Sequence, residues 1–219
     1  MKILSIDIGI VNLGYVFAEI SFQEIEKSSK YKNLELNSYY LLNKETIKNN
    51  IHIIKCNRVD ITKVKHLKIK KCECKLYHDN CIPDYLDHFI QENQDIFDLA
   101  DKILIERQPP IGITNVQDLL FTKFRDRVEL ISPNSVHKYF KMSKNYDERK
   151  ISSEKTSLDY LSEFMDFKNN MRKHDMSDAM LIIIYYYKIS VDKLIKETDY
   201  TNDAISLEFE KFRYKHINI

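Results

Sequence analysis

Lys2-Ile3-Leu4-Ser5-Ile6-Asp7-Ile8-Gly9 opens the chain, and its single acid decides how the rest is read. Residues 2 to 8 are short and isoleucine-rich, the pattern of a strand, and Gly9 ends it. Asp7 interrupts the apolar run at Ile6-Asp7-Ile8. A carboxylate in an apolar setting must be paired, protonated or bound to metal. It therefore calls for partners further along the chain.

Three other acids stand in similarly costly places. Glu106 closes the apolar strand pattern Ile103-Leu104-Ile105. Asp175 and Asp178 are three apart, on one face of a helix whose stripe is Met176, Ala179, Met180, Ile183, Ile184 and Tyr187. Each acid has an ordinary reading by itself. Asp7 suits a turn, Glu106 a pairing with Arg107, Asp175 an N-cap and Asp178 an exposed first turn. Those readings weaken when the four are taken together.

The elements between the acids give the fold class. A second strand is expected over residues 14 to 20, joined to the first by a link short enough for a hairpin. A third is expected at 35 to 42 or at 51 to 56. An amphipathic helix is expected over 84 to 100, with Leu86, Phe89, Ile90 and Phe97 on helical spacing. Then come the strand ending at Glu106, a helix from Thr114 to about Phe124, a strand over 128 to 131 and a short helix after Ser132-Pro133. Ser152 or Ser153 opens a further helix to about Phe167, and the acid-bearing helix covers 175 to 188. Strands first, then alternating helix and strand, predict a single α/β domain over 1–219 with a mixed sheet flanked by helices.

Composition limits the function classes. Hydrophobic residues are 43% of the 219-residue chain, so a packed globule is expected. No apolar run approaches the roughly 20 residues of a membrane span. The opening meets an acid too early for a signal peptide, so an intracellular protein is expected. Net charge is only +1, but it is unevenly spread. Lys55 to Lys75 holds eight Lys/Arg against two acids, and Lys123 to Lys155 nine against five. Such runs are usually solvated faces, and both are also candidate phosphate contacts.

The motifs resemble those of the RuvC-like Holliday junction resolvases in the ribonuclease H-like superfamily. Asp7-Ile8-Gly9 with Asn12 is similar to their opening motif. Ile105-Glu106-Arg107-Gln108-Pro109 is similar to the second-acid motif, most closely in its poxvirus and large-DNA-virus form. His174-Asp175-Met176-Ser177-Asp178-Ala179 resembles the closing Asp-x-x-Asp-Ala helix. The resemblance spans residues 1 to about 188. It implies a ribonuclease H-like fold and a catalytic site with two Mg²⁺ or Mn²⁺ ions. Asp7 would bridge the ions, and Glu106, Asp175 and Asp178 would complete their shells. Lys173 or His174 would assist with the phosphate or a proton. It also implies four-way junction DNA as substrate and a homodimer, since paired cuts need two sites about a two-fold axis. If the chain is viral, its place is the host compartment where viral DNA is replicated.

Residues 56 to 83 depart from that pattern. They carry all four cysteines and many lysines, without an apolar period. Cys72, Cys74, His78 and Cys81 are a candidate tetrahedral Zn²⁺ set, with Cys56 and His66 as substitutes. A metal would supply a core that this segment's side chains do not. Reduced thiols in a lysine-rich loop are the alternative.

Three rivals are weighed. Actin-like ATPases share an Asp-x-Gly start but need a repeated glycine-rich phosphate loop, which three glycines do not supply. A ribonuclease H or transposase-like nuclease would keep the same chemistry on another substrate. A non-catalytic zinc-containing DNA-binding protein would keep the basic insertion and never nick DNA.

Overall fold

The computed structural model describes the backbone of residues 1–22, 44–63 and 81–216, and the side chains of these residues up to 194. Where one domain over 1–219 is expected, the chain divides into two compact units. One comprises residues 1–20 with 51–185, the other 21–50 with 186–219.

The first unit is built on a five-stranded sheet in the order β3-β2-β1-β4-β5. Its strands are β1 (Lys2–Asp7), β2 (Leu13–Ile20), β3 (Ile51–Val59), β4 (Lys102–Glu106) and β5 (Val128–Ile131). β1 pairs antiparallel with β2 and parallel with β4, so the sheet is mixed as expected. β2 pairs antiparallel with β3, and β4 parallel with β5. β1, β3, β4 and β5 therefore all run one way, and β2 alone runs back. Of the two candidates for the third strand, 51 to 56 lies inside β3, while 35 to 42 lies outside the described residues.

Alternation along β1 sends its side chains to two faces. Leu4, Ile6 and Ile8 join Tyr15, Phe17, Ile103 and Ile105 in a core closed by Leu86, Phe89, Phe97, Val116 and Leu120. Those closing residues come from α1 (Ile82–Glu92), α2 (Gln94–Leu99) and α3 (Thr114–Lys123). The helix expected over 84 to 100 is thus two helices, broken at Asn93. There the buried side-chain amide donates to the Phe89 carbonyl at 2.9 Å, while its oxygen accepts from the Tyr15 hydroxyl at 3.1 Å. That competition with the helix's own hydrogen bonds accounts for the break.

The other face carries Ile3, Ser5 and Asp7. Its helices are α4 (Pro133–Tyr139), α5 (Tyr146–Leu161), α6 (Met165–Lys168) and the long α7 (Lys173–His216). α5 starts well before the expected Ser152 or Ser153. Asn145 caps it, its side-chain oxygen accepting from the Asp147 and Glu148 backbone N–H groups. α7 begins two residues before Asp175 and continues past 188 into the second unit.

The second unit contains a short helix, Lys44–Asn49, and the remainder of α7. Phe22 and Tyr187 stack there, with ring centroids 5.4 Å apart. Among the described residues, no helix is long and apolar enough to cross a membrane.

Candidate active site

Strand register brings the first two acids together. Ile6 is level with Ile105 on neighbouring parallel strands, and both side chains enter the same core. The next residue on each strand, Asp7 and Glu106, must then turn to the opposite face, side by side at the carboxyl end of the sheet. The helical pair arrives through a close backbone approach. Gly14 lies opposite Asp7 in the β1–β2 register, and a Cβ built on it would stand 2.2 Å from the Asp175 carbonyl oxygen. Only a glycine lets the first turn of α7 settle on β2 here. That contact lowers Asp175 into the protein, where it is 4% exposed.

All four expected acids line one cavity of about 490 Å³. Asp7 and Glu106 share a hydrogen bond between their carboxyl groups. Burial first, then the charges of Glu106 and Asp178, push the Asp7 pKa well above the ordinary carboxylate value, against the pull of Lys150. Burial and Asp178 also raise Glu106, while hydrogen bonds from Asp7 and Gln108 and the charge of Lys150 restrain the rise. Burial and mutual proximity thus disfavour full ionisation of the pair.

Gln108 fixes the Glu106 carboxylate. Its Nε2 donates to Glu106 Oε2 at 2.9 Å, and its own backbone N–H donates to Gln117 Oε1 at 2.8 Å. Asp178 accepts from the Lys150 ammonium and from the Ser153 hydroxyl, both on α5. Burial works against the Lys150 ammonium, but the charge and hydrogen bond of Asp178 outweigh it, so its pKa stands above the ordinary lysine value. Asp175 accepts from Arg172 Nε at 3.1 Å, and His174 Nε2 lies 3.2 Å from its other oxygen.

Arg149, Lys150 and Arg172 bring positive charge to the same cavity, which His137 and Tyr146 also line. Burial, then the charges of Arg149 and Lys150, lower the His137 pKa, so this imidazole favours its neutral form. Beneath the site, Ser157 Oγ donates to Ser177 Oγ at 2.7 Å, and Ser177 Oγ donates to the Lys173 carbonyl at 3.0 Å. Both serines are buried, and they tie α5, which carries Lys150, to α7, which carries Asp178.

Lys173, expected as the assisting cation, does not line the cavity. Its ammonium stands over the Phe167 ring, 5.6 Å from the centroid. Lys150 lines the cavity instead, while His174, the other expected assistant, stands against Asp175. Of the expected zinc set, Cys72, Cys74 and His78 lie outside the described residues, and Cys81 is exposed. Among the substitutes, His66 is outside them too. Cys56 is buried on β3, and burial pushes its thiol up to about 12.

The all-oxygen donor set suits a hard divalent cation such as Mg²⁺. Asp7 and Glu106 fit that role, since they stand side by side at the carboxyl end of the sheet and open on one cavity. Among the described residues, no three potential ligands are gathered into a finished coordination shell. Lys150 and Ser153 hold Asp178, and Arg172 holds Asp175, each leaving carboxylate lone pairs for a cation.

No protein-family model and no curated protein matches the chain by sequence. Solved structures do match. One is the fowlpox virus resolvase in complex with its substrate Holliday junction DNA, 16% identical over 86% of this chain and 97% of the other, with a TM-score of 0.54. Another is the yeast mitochondrial Holliday junction resolvase, 17% identical over 89% of this chain and 82% of the other, with a TM-score of 0.53. At such identities the likeness is one of fold.

Proposed function

We propose that this chain, whose fold is that of the RuvC-like resolvases in the ribonuclease H-like superfamily, is a divalent-metal-dependent endonuclease that cuts four-way DNA junctions by paired nicks. The observation that carries the reading is the convergence of Asp7, Glu106, Asp175 and Asp178 on one cavity that Arg149, Lys150 and Arg172 also line. A structural scaffold gains nothing from four acids in one pocket.

Asp7 and Glu106 would hold two Mg²⁺ or Mn²⁺ ions, with Asp175 and Asp178 completing the set. When bound, such ions supply an activated water and stabilise the leaving oxygen of a phosphodiester. The chain's own side chains do the rest. Gln108 orients Glu106 toward the cavity. Lys150 and Ser153 hold Asp178 in place. Arg149, Lys150 and Arg172 present positive charge to the phosphate, and neutral His137 offers a nitrogen that accepts or carries a proton. No protein nucleophile is needed.

Paired nicking calls for a homodimer, so that two such cavities face one junction. The basic segments at 55–75 and 123–155 would contact phosphates, giving salt-sensitive binding that reads shape more than bases. Cys72, Cys74, His78 and Cys81 would hold a structural Zn²⁺, a claim that elemental analysis of the purified protein decides.

The test is cleavage of a synthetic four-way junction beside a linear duplex and an RNA–DNA hybrid, with Mg²⁺ and with chelator. Symmetric, metal-dependent nicks in the junction alone are expected. Cutting of the hybrid instead would keep the site and overturn the substrate. No cutting of any of them would overturn the enzyme.

A further inference from the structure

Tyr146 is 56% exposed, yet it lines the same cavity as the acids. It is the first residue of α5, and its position is not left to chance. The side chain of Asn145 accepts from the Asp147 and Glu148 backbone N–H groups at 2.9 and 3.1 Å, which locks the first turn around it. Two cations attend the ring. Arg149 Cζ is 5.6 Å from its centroid and Lys150 Nζ is 5.4 Å away.

Lys150 gives the ring its bearing on the chemistry. The same ammonium nitrogen lies 2.5 Å from Asp178 Oδ2, so the ring centre is within about 8 Å of that carboxylate. That reach corresponds to roughly two stacked nucleotide steps of ~3.4 Å each. A strand whose phosphate sits among the acids therefore carries its neighbouring base past this ring. Cations flanking an exposed aromatic ring are the combination that binds single-stranded nucleic acid, with charge for the backbone and a π-face for the base.

We propose that Tyr146, with Arg149 beside it, is a stacking subsite for the nucleobase adjoining the phosphate that is cut. The proposal rests on the nuclease reading above and specifies what that site requires of its substrate. A base stacked on Tyr146 has left the stack of its own duplex. The subsite therefore selects strands that are unpaired or splayed next to the cut, as at a branch point, and disfavours continuous duplex. It is tolerant of sequence, because every base has a π-face.

The native chain first maps the cut on a four-way junction. Junctions carrying 2-aminopurine at each nucleotide flanking that cut are then bound by Asp7→Asn, Asp7→Asn/Tyr146→Ala and Asp7→Asn/Tyr146→Phe. Cleavage does not interfere with the fluorescence in this background. The parent variant is expected to change the fluorescence at one flanking position. Tyr146→Ala should abolish that change and weaken junction binding about 5- to 150-fold, while melting at the parent temperature, because the side chain is exposed. Tyr146→Phe should keep both within about twofold. An alanine variant that binds and reports like its parent overturns the subsite, as does a phenylalanine variant that fails as badly as alanine. A native chain that cuts none of the DNAs instead overturns the nuclease reading, and the subsite falls with it.

Discussion

Replacing Gly14 with alanine tests the geometry of the site without touching any of its acids. The new methyl would lie 2.2 Å from the Asp175 carbonyl oxygen and 2.4 Å from its carbon, where real contacts essentially never fall below 3.0 Å. Backbone lies on both sides, so no side chain can swing away. The first turn of α7 must retreat from β2 by about 1 Å. Overpacking of this kind costs about 1–3 kcal/mol, of which about 0.4–1 kcal/mol is returned through a stiffer unfolded chain. A net loss of about 1–2 kcal/mol lowers the melting temperature by roughly 2–8 °C in a protein of this size. Activity should suffer more than stability. A shift of about 1 Å in a catalytic group costs on the order of 100-fold in rate, and here both Asp175 and Asp178 move. Thermal melting and single-turnover cleavage of a four-way junction measure the two effects. Ile96→Val in the opposite core costs a similar 0.5–1.5 kcal/mol and should leave the rate unchanged. If Gly14→Ala melts and cuts like the native chain, or loses no more rate than Ile96→Val, the close approach does not position the acids.

Three further outcomes follow from the same site. Asp7→Asn should abolish cleavage while raising metal-free stability near neutral pH, because it removes a charge that burial and Glu106 disfavour. Since the folded-state pKa of Asp7 is raised, the native state keeps a proton that the unfolded chain releases above its ordinary pKa of about 4. The advantage of the variant should therefore shrink as pH falls toward that value, and denaturant titrations at several pH values show whether it does. Gln108→Ala should lower cleavage roughly 10- to 100-fold with little change in melting, the usual toll for freeing a ligand's orienting partner. An unchanged rate would mean that Glu106 needs no such partner. Ser157→Ala and Ser177→Ala should each cost about 0.5–1.5 kcal/mol, the net worth of one hydrogen bond, since the hydroxyl left behind keeps a backbone carbonyl partner, and the double variant should cost clearly less than their sum. Strict additivity in a double-mutant cycle would deny the contact.

The four acids were legible because a carboxylate among isoleucines is expensive wherever it stands, and that expense shows in the sequence. Their cationic partners were not. Lys150, Arg149 and His137 sit among other charged residues on polar stretches, where nothing local distinguishes a side chain that faces a cavity from one that faces water. Lys173 was nominated for its closeness to Asp175 along the chain. On the folded helix its ammonium turns to Phe167 instead. Asn145, followed by Asp147 and Glu148, is a capped helix start legible in the sequence. It places the opening of that helix at Tyr146, and Lys150 about one turn into it. Gln108 stands out in the sequence only as part of the second-acid motif. Its hold on Glu106 depends on Gln117, which arrives from another element.

Four of the five strands run in one direction, so β1, β3, β4 and β5 all deliver their following loops to the end of the sheet where Asp7 and Glu106 stand. The chain leaves β3 at Val59 at that same end. In the nuclease proposed above, chemistry and choice of substrate would be carried on different parts of the chain. Asp7 and Glu106 belong to strand ends whose register the core enforces, and Asp175 and Asp178 to a helix seated on Gly14, whereas loops that leave the strand ends can lengthen, shorten or be exchanged without disturbing a single strand pair. If the proposed activity holds, a lineage, or an engineer, could in this way retune which DNA is offered to the site while leaving the means of cutting it untouched.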